Sequence, residues 1–160
     1  MKKRTIDKII TVLFGLYLIA LFYMLFLYGW RAGNQYGLKV FSKEHFQMVN
    51  CVPFATIASF IQKLHEHTIN IDIVVTNIAA NLLMFVPMGM ALPVLFKKKF
   101  NKCWKLLLFV AILVLIIEIV QFVTFMGIAD IDDLILNVFG AAIGYGFVQL
   151  KFVKRLLKRS

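Results

Sequence analysis

Three aspartates and one asparagine stand close together in a chain that is otherwise strongly apolar. Asp130, Asp132 and Asp133 fall within four positions, and Asn137 follows one helical turn later. Such carboxylates can cap the start of a helix, hold a divalent cation as a cofactor, or serve as a general acid and base. The spacing alone leaves all three roles open.

Polar residues within the apolar segments recur at spacings of three, four and seven, which place side chains on one face of a helix. The sets are Asn77 with Asn81, Glu118 with Gln121, and Asp130 with Asp133 and Asn137. A centred Asp costs roughly 2.5–3.5 kcal/mol to insert into a membrane, so we expect the three faces to turn toward one another. This predicts a polar pocket inside a bundle of helices.

The acids and the amides of this pocket have different expected roles. Glu118, Asp130 and Asp133 are the candidate catalytic groups, because carboxylates can carry charge or transfer a proton. The amides are the candidates for binding the polar group of a substrate, and they are Asn77, Asn81, Gln121 and Asn137. The alternative for the amides is a packing role, as interhelical hydrogen bonds of about 0.6 kcal/mol each.

The composition of the chain is that of a membrane protein. Of its 160 residues, 61% are hydrophobic, and the mean hydropathy is +0.84, whereas a soluble chain is about 45–50% apolar. The net charge is +10, but each basic run adjoins an apolar segment, which is the pattern of membrane flanks. We therefore expect a lipid bilayer, and no nucleic acid, as the partner.

Four apolar segments are long enough to cross a hydrocarbon layer of ~30 Å. The predicted spans are residues 9–30, 71–96, 104–125 and 131–152, in one all-α membrane domain over residues 1–160. The second span is long for a straight helix, and Pro87 lacks the N–H that a helix interior uses. We therefore expect tilt or a break near Pro87.

The basic residues predict the orientation of these spans. Most of the 18 Lys and Arg residues lie at the amino terminus, between the second and third spans, or at the carboxyl terminus. Because basic residues concentrate on the cytoplasmic side, we expect both termini in the cytoplasm of a bacterial cell and the 31–70 loop outside its cytoplasmic membrane. Within that loop, the apolar stretch 50–61 is too short to span and predicts an interfacial or re-entrant segment.

Two other groups of residues are expected to have no site chemistry. Cys51 and Cys103 fall on opposite sides of the predicted membrane, so a disulfide within one chain is excluded. His65, Glu66 and His67 have a spacing that does not suit one helical face, and no Cys or third His lies near them in the sequence. We expect them to be exposed loop residues rather than a zinc site.

Four short motifs, taken together, resemble the VanZ-like family of membrane proteins in their order and spacing. They are Asn50 with Pro53 and Phe54; Asn81 with Phe85, Pro87 and Gly89; Glu118 with Gln121; and Asp130 with Asp133, Asn137 and Gly140. The resemblance covers roughly residues 50–150. One departure is Gly127, where many members of the family carry a basic residue. If that basic residue supplies a counter-ion or contacts a lipid head in other members, then Arg31, Lys39 or Lys43 would have to substitute for it in this chain, or the function differs.

The resemblance implies a role in the cell envelope. The founding member of the family is associated with low-level resistance to teicoplanin, a glycopeptide antibiotic with a lipid tail. Together with the predicted pocket, which would open to the outer leaflet, the resemblance leads us to expect a protein that acts there on an envelope lipid or lipid-linked cell-wall precursor. The Lys-, Ile- and Phe-rich residue usage favours a Gram-positive source. The alternative is a non-catalytic protein that binds a lipid or the antibiotic, or that contacts another membrane protein.

Several residues of these motifs are expected to have structural roles. Gly140 and Gly144 have the small-xxx-small spacing that lets another helix approach closely, either within the chain, in a homo-oligomer, or from another membrane protein. The full set of expected structural residues is Pro53, Phe54, Pro87, Gly89, Gly140 and Gly144.

Overall fold

The computed structural model describes residues 3–28, 49–124, 129–151 and 153. Within these ranges the chain forms six α-helices and one π-helical segment. They are α1 (Lys3–Phe22), the π-helical segment (Tyr23–Tyr28), α2 (Ala55–His65), α3 (Ile71–Met84), α4 (Val86–Leu95), α5 (Cys103–Val123) and α6 (Ile131–Gln149). The all-α prediction is confirmed.

Four helical segments are long and apolar enough to cross a membrane. They are Ile6–Leu27, Ile71–Leu95, Cys103–Val123 and Ile131–Gln149. These agree with the four predicted spans to within a few residues, although the ends predicted at residues 29–30, 125 and 152 lie outside the described residues. The orientation of the termini stays a prediction, and residues 31–48 of the predicted external loop also lie outside the described ranges.

The second span is broken where the sequence predicts it. α3 ends at Met84 and α4 begins at Val86, so that Pro87 occupies the first turn of α4, where its missing N–H removes no intrahelical bond. The Tyr17 hydroxyl donates a 2.9 Å hydrogen bond to the Met84 carbonyl oxygen at this break. α1 is therefore held against the point where the second span changes direction.

α6 packs against α3, α4 and α5. A Cβ atom added at Gly140 or Gly144 would overlap backbone atoms of the second span at Leu82 or Val86, and one added at Gly89 would overlap the backbone of α6. The close contact at Gly140 and Gly144 is thus made within the chain, by its own second span. Contact with another membrane protein or with a second copy of the chain stays a prediction.

The buried face of α5 leads directly to the polar end of the bundle. Leu106, Val110 and Val114 are at most 1% exposed, and their spacing of four residues keeps them on one side of the helix. The next residue in this series is Glu118, which is also buried. A carboxylate thus occupies the position where an apolar core residue would continue the pattern.

Candidate functional site

Asp132 fixes the amino-terminal end of α2 to the start of α6. Its side chain is 1% exposed. One carboxylate oxygen accepts a hydrogen bond from the Phe54 N–H at 2.5 Å, and the other accepts from the Thr56 and Ile57 N–H groups at 2.9 and 3.2 Å. These N–H groups have no partner within a helix, and a carboxylate also complements the positive end of the helix dipole. Asp132 is therefore an anchor for α2.

The turn before α2 is shaped to meet this carboxylate. Phe54 has a left-handed backbone, with φ 66° and ψ 7°, a conformation that costs energy for any residue other than glycine. Pro53 and Phe54 form the turn that leads into the helix. The structural roles of both residues, like the depth of α2 in a membrane, stay predictions.

Asn50 and Asp130 join the segment before α2 to the start of α6. Their backbones form a parallel bridge through two hydrogen bonds of 3.0 Å. The Asn50 Nδ2 donates to Asp130 Oδ1 at 2.9 Å, and the Thr56 hydroxyl donates to Asp130 Oδ2 at 2.5 Å. Asp130 Oδ1 also accepts the Asp132 N–H at 2.9 Å, as the N-cap of α6. The capping role considered for the aspartates is thus confirmed for Asp130.

Asn81 and Asp133 join α3 to α6. The Asn81 Nδ2 donates a hydrogen bond to Asp133 Oδ1, as expected for polar faces that turn toward one another. Asn77 is exposed, so the prediction that it faces inward with Asn81 is wrong. The buried face of α3 follows Val74 and Asn81 toward Phe85, and Asn77 lies at its edge.

Glu118 and Gln121 share a face of α5 but have different partners. Glu118 is 9% exposed, and its Oε2 accepts a 3.4 Å hydrogen bond from the Asp130 N–H. The Gln121 Nε2 donates to the Leu25 carbonyl oxygen at 2.7 Å, within the π-helical segment. Gln121 therefore connects α5 to the first span, which is the packing role considered for it.

Asn137 is the deepest polar residue of α6 in this region. It is 4% exposed, and its Oδ1 is buried without a hydrogen-bond partner among the described residues. It lies one helical turn beyond Asp133, and one turn before Gly140, whose backbone meets Leu82. Among the described residues, a buried acceptor of α6 is therefore without a donor.

A cavity of about 140 Å³ lies where α5, α6 and the segment before α2 meet. It is lined by Val49, Asn50, Cys51, Leu115, Glu118, Ala129, Asp130, Ile131 and Leu134. Two of these residues, Glu118 and Asp130, contribute carboxylates. We use the name acidic site for this cavity together with Asp133 and Asn137, which follow Asp130 on one face of α6.

The described part of the chain contains no group of three or more His, Cys, Asp or Glu side chains that could hold a metal ion. Asp132, one of the residues considered for a divalent cation, is occupied by the N–H groups of α2. His65, Glu66 and His67 are exposed, as predicted, but His65 is the last residue of α2 rather than a loop residue. Cys51 and Cys103 are free cysteines.

Two residues of this region were not among the predicted site residues. Asp132 lies off the face defined by Asp130, Asp133 and Asn137, so its spacing does not single it out from the other two aspartates as the anchor of α2. The hydroxyl and the N–H of Thr56 contact two different aspartates. The only feature of the sequence that could indicate this role is the position of Thr56 near the start of an apolar helix. Gly127 and the basic residues proposed to replace its missing charge lie outside the described ranges.

The comparisons with known proteins agree with the motifs. The family model of VanZ/LLP1 matches residues 14–152, which include all four candidate spans except the first residues of the first one. No match to the chain was found among curated proteins or among solved structures. The match covers most of the 160 residues, and the chain belongs to the VanZ/LLP1 family.

Proposed function

We propose that this VanZ/LLP1 protein acts on the polar head of an envelope lipid or of a lipid-linked cell-wall precursor, and that it contributes in this way to teicoplanin-type lipoglycopeptide resistance. The observation that carries the proposal is Glu118, a buried carboxylate within a membrane span that lines the cavity beside Asp130. An ionisable residue is costly in that position and is usually retained for function.

The size of the cavity favours a lipid head over an antibiotic. Pockets for drug-sized ligands have volumes of roughly 300–1,000 Å³, and a glycopeptide is larger than such ligands. The cavity in the acidic site has about 140 Å³, which suits one small polar group. Among the partners expected from the sequence, a lipid or a lipid-linked precursor therefore fits better than the lipid-tailed antibiotic.

Among the carboxylates, Glu118 is the one best placed to act on a ligand. Asp132 accepts three hydrogen bonds from backbone N–H groups, and Asp130 caps α6 while it accepts from Asn50 and Thr56. Glu118 accepts only a long hydrogen bond of 3.4 Å within the described residues, and an ionised carboxylate has about four acceptor positions. In the proposed function Glu118 transfers a proton to or from the lipid head, or pairs with a charge on it. Asp130 and Asp133 keep the segments around Glu118 in position through their hydrogen bonds.

A second candidate, a lipid binder without turnover, has one observation in its favour. General acid–base chemistry commonly uses two titratable groups with separate roles. Asp130 and Asp133 are both hydrogen-bonded within the chain, which leaves Glu118 without an equally free second carboxylate. Turnover distinguishes the candidates, because an enzyme changes many lipids per protein molecule and a binder is stoichiometric.

The orientation is part of the proposal. Lys97, Lys98 and Lys99 are exposed beyond the end of α4, and the positive-inside rule assigns this end and both termini to the cytoplasm. The acidic site then faces the outside of the bacterial cytoplasmic membrane. Exposed apolar side chains on and before α2, such as Phe54 and Ile61, support a position of α2 in the outer interface.

Labelling of the two native cysteines tests this orientation. Cys51 is exposed beside the acidic site, and Cys103 begins α5 at the lysine-rich end. A membrane-impermeant maleimide should label the Cys103→Ser variant in intact cells, whereas the Cys51→Ser variant should react only after the membrane is disrupted. The reverse pattern would overturn the proposed orientation.

Lipid mass spectrometry tests the function. We compare isogenic membranes that contain the wild type, Glu118→Gln, or the control Asp72→Asn, at equal protein levels; Asp72 is an exposed acid at the start of α3. A lipid or precursor whose chemical structure changes with the wild type and the control, but not with Glu118→Gln, is the expected result. Unchanged lipids together with Glu118-dependent teicoplanin tolerance would favour the binder, and tolerance without any dependence on Glu118 would contradict both candidates.

A further inference from the structure

The acidic site combines several carboxylates with uncharged partners. Within the described residues, Glu118, Asp130 and Asp133 accept hydrogen bonds from backbone N–H groups, amides and a hydroxyl. None of these donors carries a positive charge. Ionised carboxylates in a medium of low dielectric need a compensating cation or bound protons, and a positively charged ligand would supply that cation.

The polar groups beside the cavity that can still form a hydrogen bond are also mainly acceptors. Both N–H groups of the Asn50 amide are already donated, to Thr56 and Asp130, and the Asn81 amide donates to Asp133. Glu118 keeps free acceptor positions. A ligand that itself accepts hydrogen bonds, such as a phosphate group, finds few donors and several negative charges here.

Asn137 supplies a second and independent observation. Its Oδ1 is a buried acceptor without a partner in the described part of the chain, in a side chain only 4% exposed. It lies on the same side of α6 as Leu134 and Asp130, which line the cavity three and seven positions earlier. Buried acceptors are rarely left unsatisfied, so we expect a donor from outside the described residues, either water or a ligand, at this oxygen.

We infer that the acidic site binds a lipid head that carries a primary ammonium group, whose N–H groups donate to Glu118 and Asn137. This inference rests on the proposed function and specifies its substrate class. An ammonium group offers both properties that the site lacks, a positive charge and several hydrogen-bond donors. An inorganic cation would offer the charge alone, and the described residues do not form a set of metal ligands.

Three phospholipids with identical acyl chains separate these properties. Phosphatidylethanolamine has charge and N–H donors, phosphatidylcholine has the charge without N–H donors, and phosphatidylglycerol has neither. The full-length protein in detergent is titrated with each lipid, and the bound fraction is measured by native mass spectrometry. We expect phosphatidylethanolamine to bind about tenfold or more tightly than phosphatidylglycerol, as a charge-assisted hydrogen bond predicts, with phosphatidylcholine in between.

Variants assign this preference to the acidic site. Glu118→Gln and Asn137→Leu should each reduce the preference for phosphatidylethanolamine severalfold, and the matched control Asp72→Asn should retain it. Circular dichroism checks that each variant is folded. If Asn137→Leu does not fold, Glu118→Gln, which changes neither size nor shape appreciably, decides the test.

The outcomes separate this inference from the proposed function. Equal binding of the three lipids, or tighter binding of phosphatidylglycerol, would overturn the inference and leave the proposed function standing. Equal binding that strengthens when magnesium chloride is added would show that an inorganic cation occupies the site, and would also overturn it. A preference that persists in both variants would place the ammonium elsewhere, and a wild type that binds none of these lipids would count against the proposed function as well.

Discussion

The two halves of α6 are held in place in different ways. From Asp130 to Asn137 the helix contacts its neighbours through side-chain hydrogen bonds, to Asn50 before α2 and to Asn81 on α3. From Gly140 to Gly144 it contacts the second span through backbone atoms that leave no room for a side chain. Among the described residues, the first half contains a buried acceptor without a hydrogen-bond partner at Asn137, whereas the stretch from Gly140 to Gly144 is held by close packing.

This difference separates the scaffold from the site. In lipid there is little hydrophobic gain from bringing two apolar helices together, so close van der Waals contact between small residues holds such helices. That contact tolerates no added volume but needs no polar group. The polar half of α6 therefore contains buried polar groups that close packing does not require. Asp130 and Asp132 use theirs to hold the starts of α2 and α6, and the proposed function accounts for Asn137.

The largest expected effect comes from adding volume to the glycine half of α6. Gly144→Leu should prevent folding, because the first added atom already overlaps the backbone of Val86, and overpacking commonly costs about 1–3 kcal/mol even when the core can adjust. The measurement is the yield of monodisperse protein on size exclusion in detergent. The matched control is Gly146→Ala on the same helix, where an added Cβ atom meets nothing within 4 Å. Equal loss of yield in both variants would contradict the role assigned to close packing.

A smaller and local effect is expected at Asp132. Asp132→Ala leaves the N–H groups of Phe54, Thr56 and Ile57 without their acceptor, and hydrogen bonds to charged groups contribute about 1.5–3 kcal/mol each. We expect α2 to detach while the four spans persist. Hydrogen exchange followed by mass spectrometry should then show faster exchange over Ala55–His65 and little change in α5. Unchanged protection of α2 would rule out the anchoring role.

The smallest effect distinguishes two asparagines on one helix. Asn81→Ala removes the hydrogen bond to Asp133 and should lower the free energy of unfolding by about 0.6–1.7 kcal/mol, the range for interhelical hydrogen bonds in membranes. Asn77→Ala, at an exposed position, should change it by less than about 0.5 kcal/mol. Thermal or denaturant unfolding in detergent compares them. A larger loss from Asn77→Ala would show that the exposed asparagine is the structural one.

Much of this fold could be predicted from local features of the sequence. Length and apolar character define the spans, Pro87 defines the break between α3 and α4, and the spacing of Gly140 and Gly144 defines a close helix contact. Glu118 also follows from a local pattern, because it continues a buried series of residues four apart. These features depend on the chain within one or two helices.

The features that escaped prediction depend on contacts between distant segments. Asp132 caps a helix that begins more than 70 residues earlier in the chain, and nothing near it in the sequence identifies that partner. Gln121 binds a carbonyl oxygen at Leu25, which requires the relative positions of α5 and the π-helical segment. Asn77 and Asn81 share a spacing that suits one face, but only the tertiary contact of α3 with α6 decides which of them is buried.

The most direct test of the central claim concerns Glu118 as a functional rather than a packing residue. Teicoplanin susceptibility and the thermal unfolding of the purified protein are measured together for the wild type, Glu118→Gln and Asp72→Asn. We predict that Glu118→Gln loses the tolerance that the wild type confers while its unfolding temperature and membrane level stay close to those of the wild type and the control. Full tolerance in a stable Glu118→Gln protein, at the same membrane level, would contradict the account.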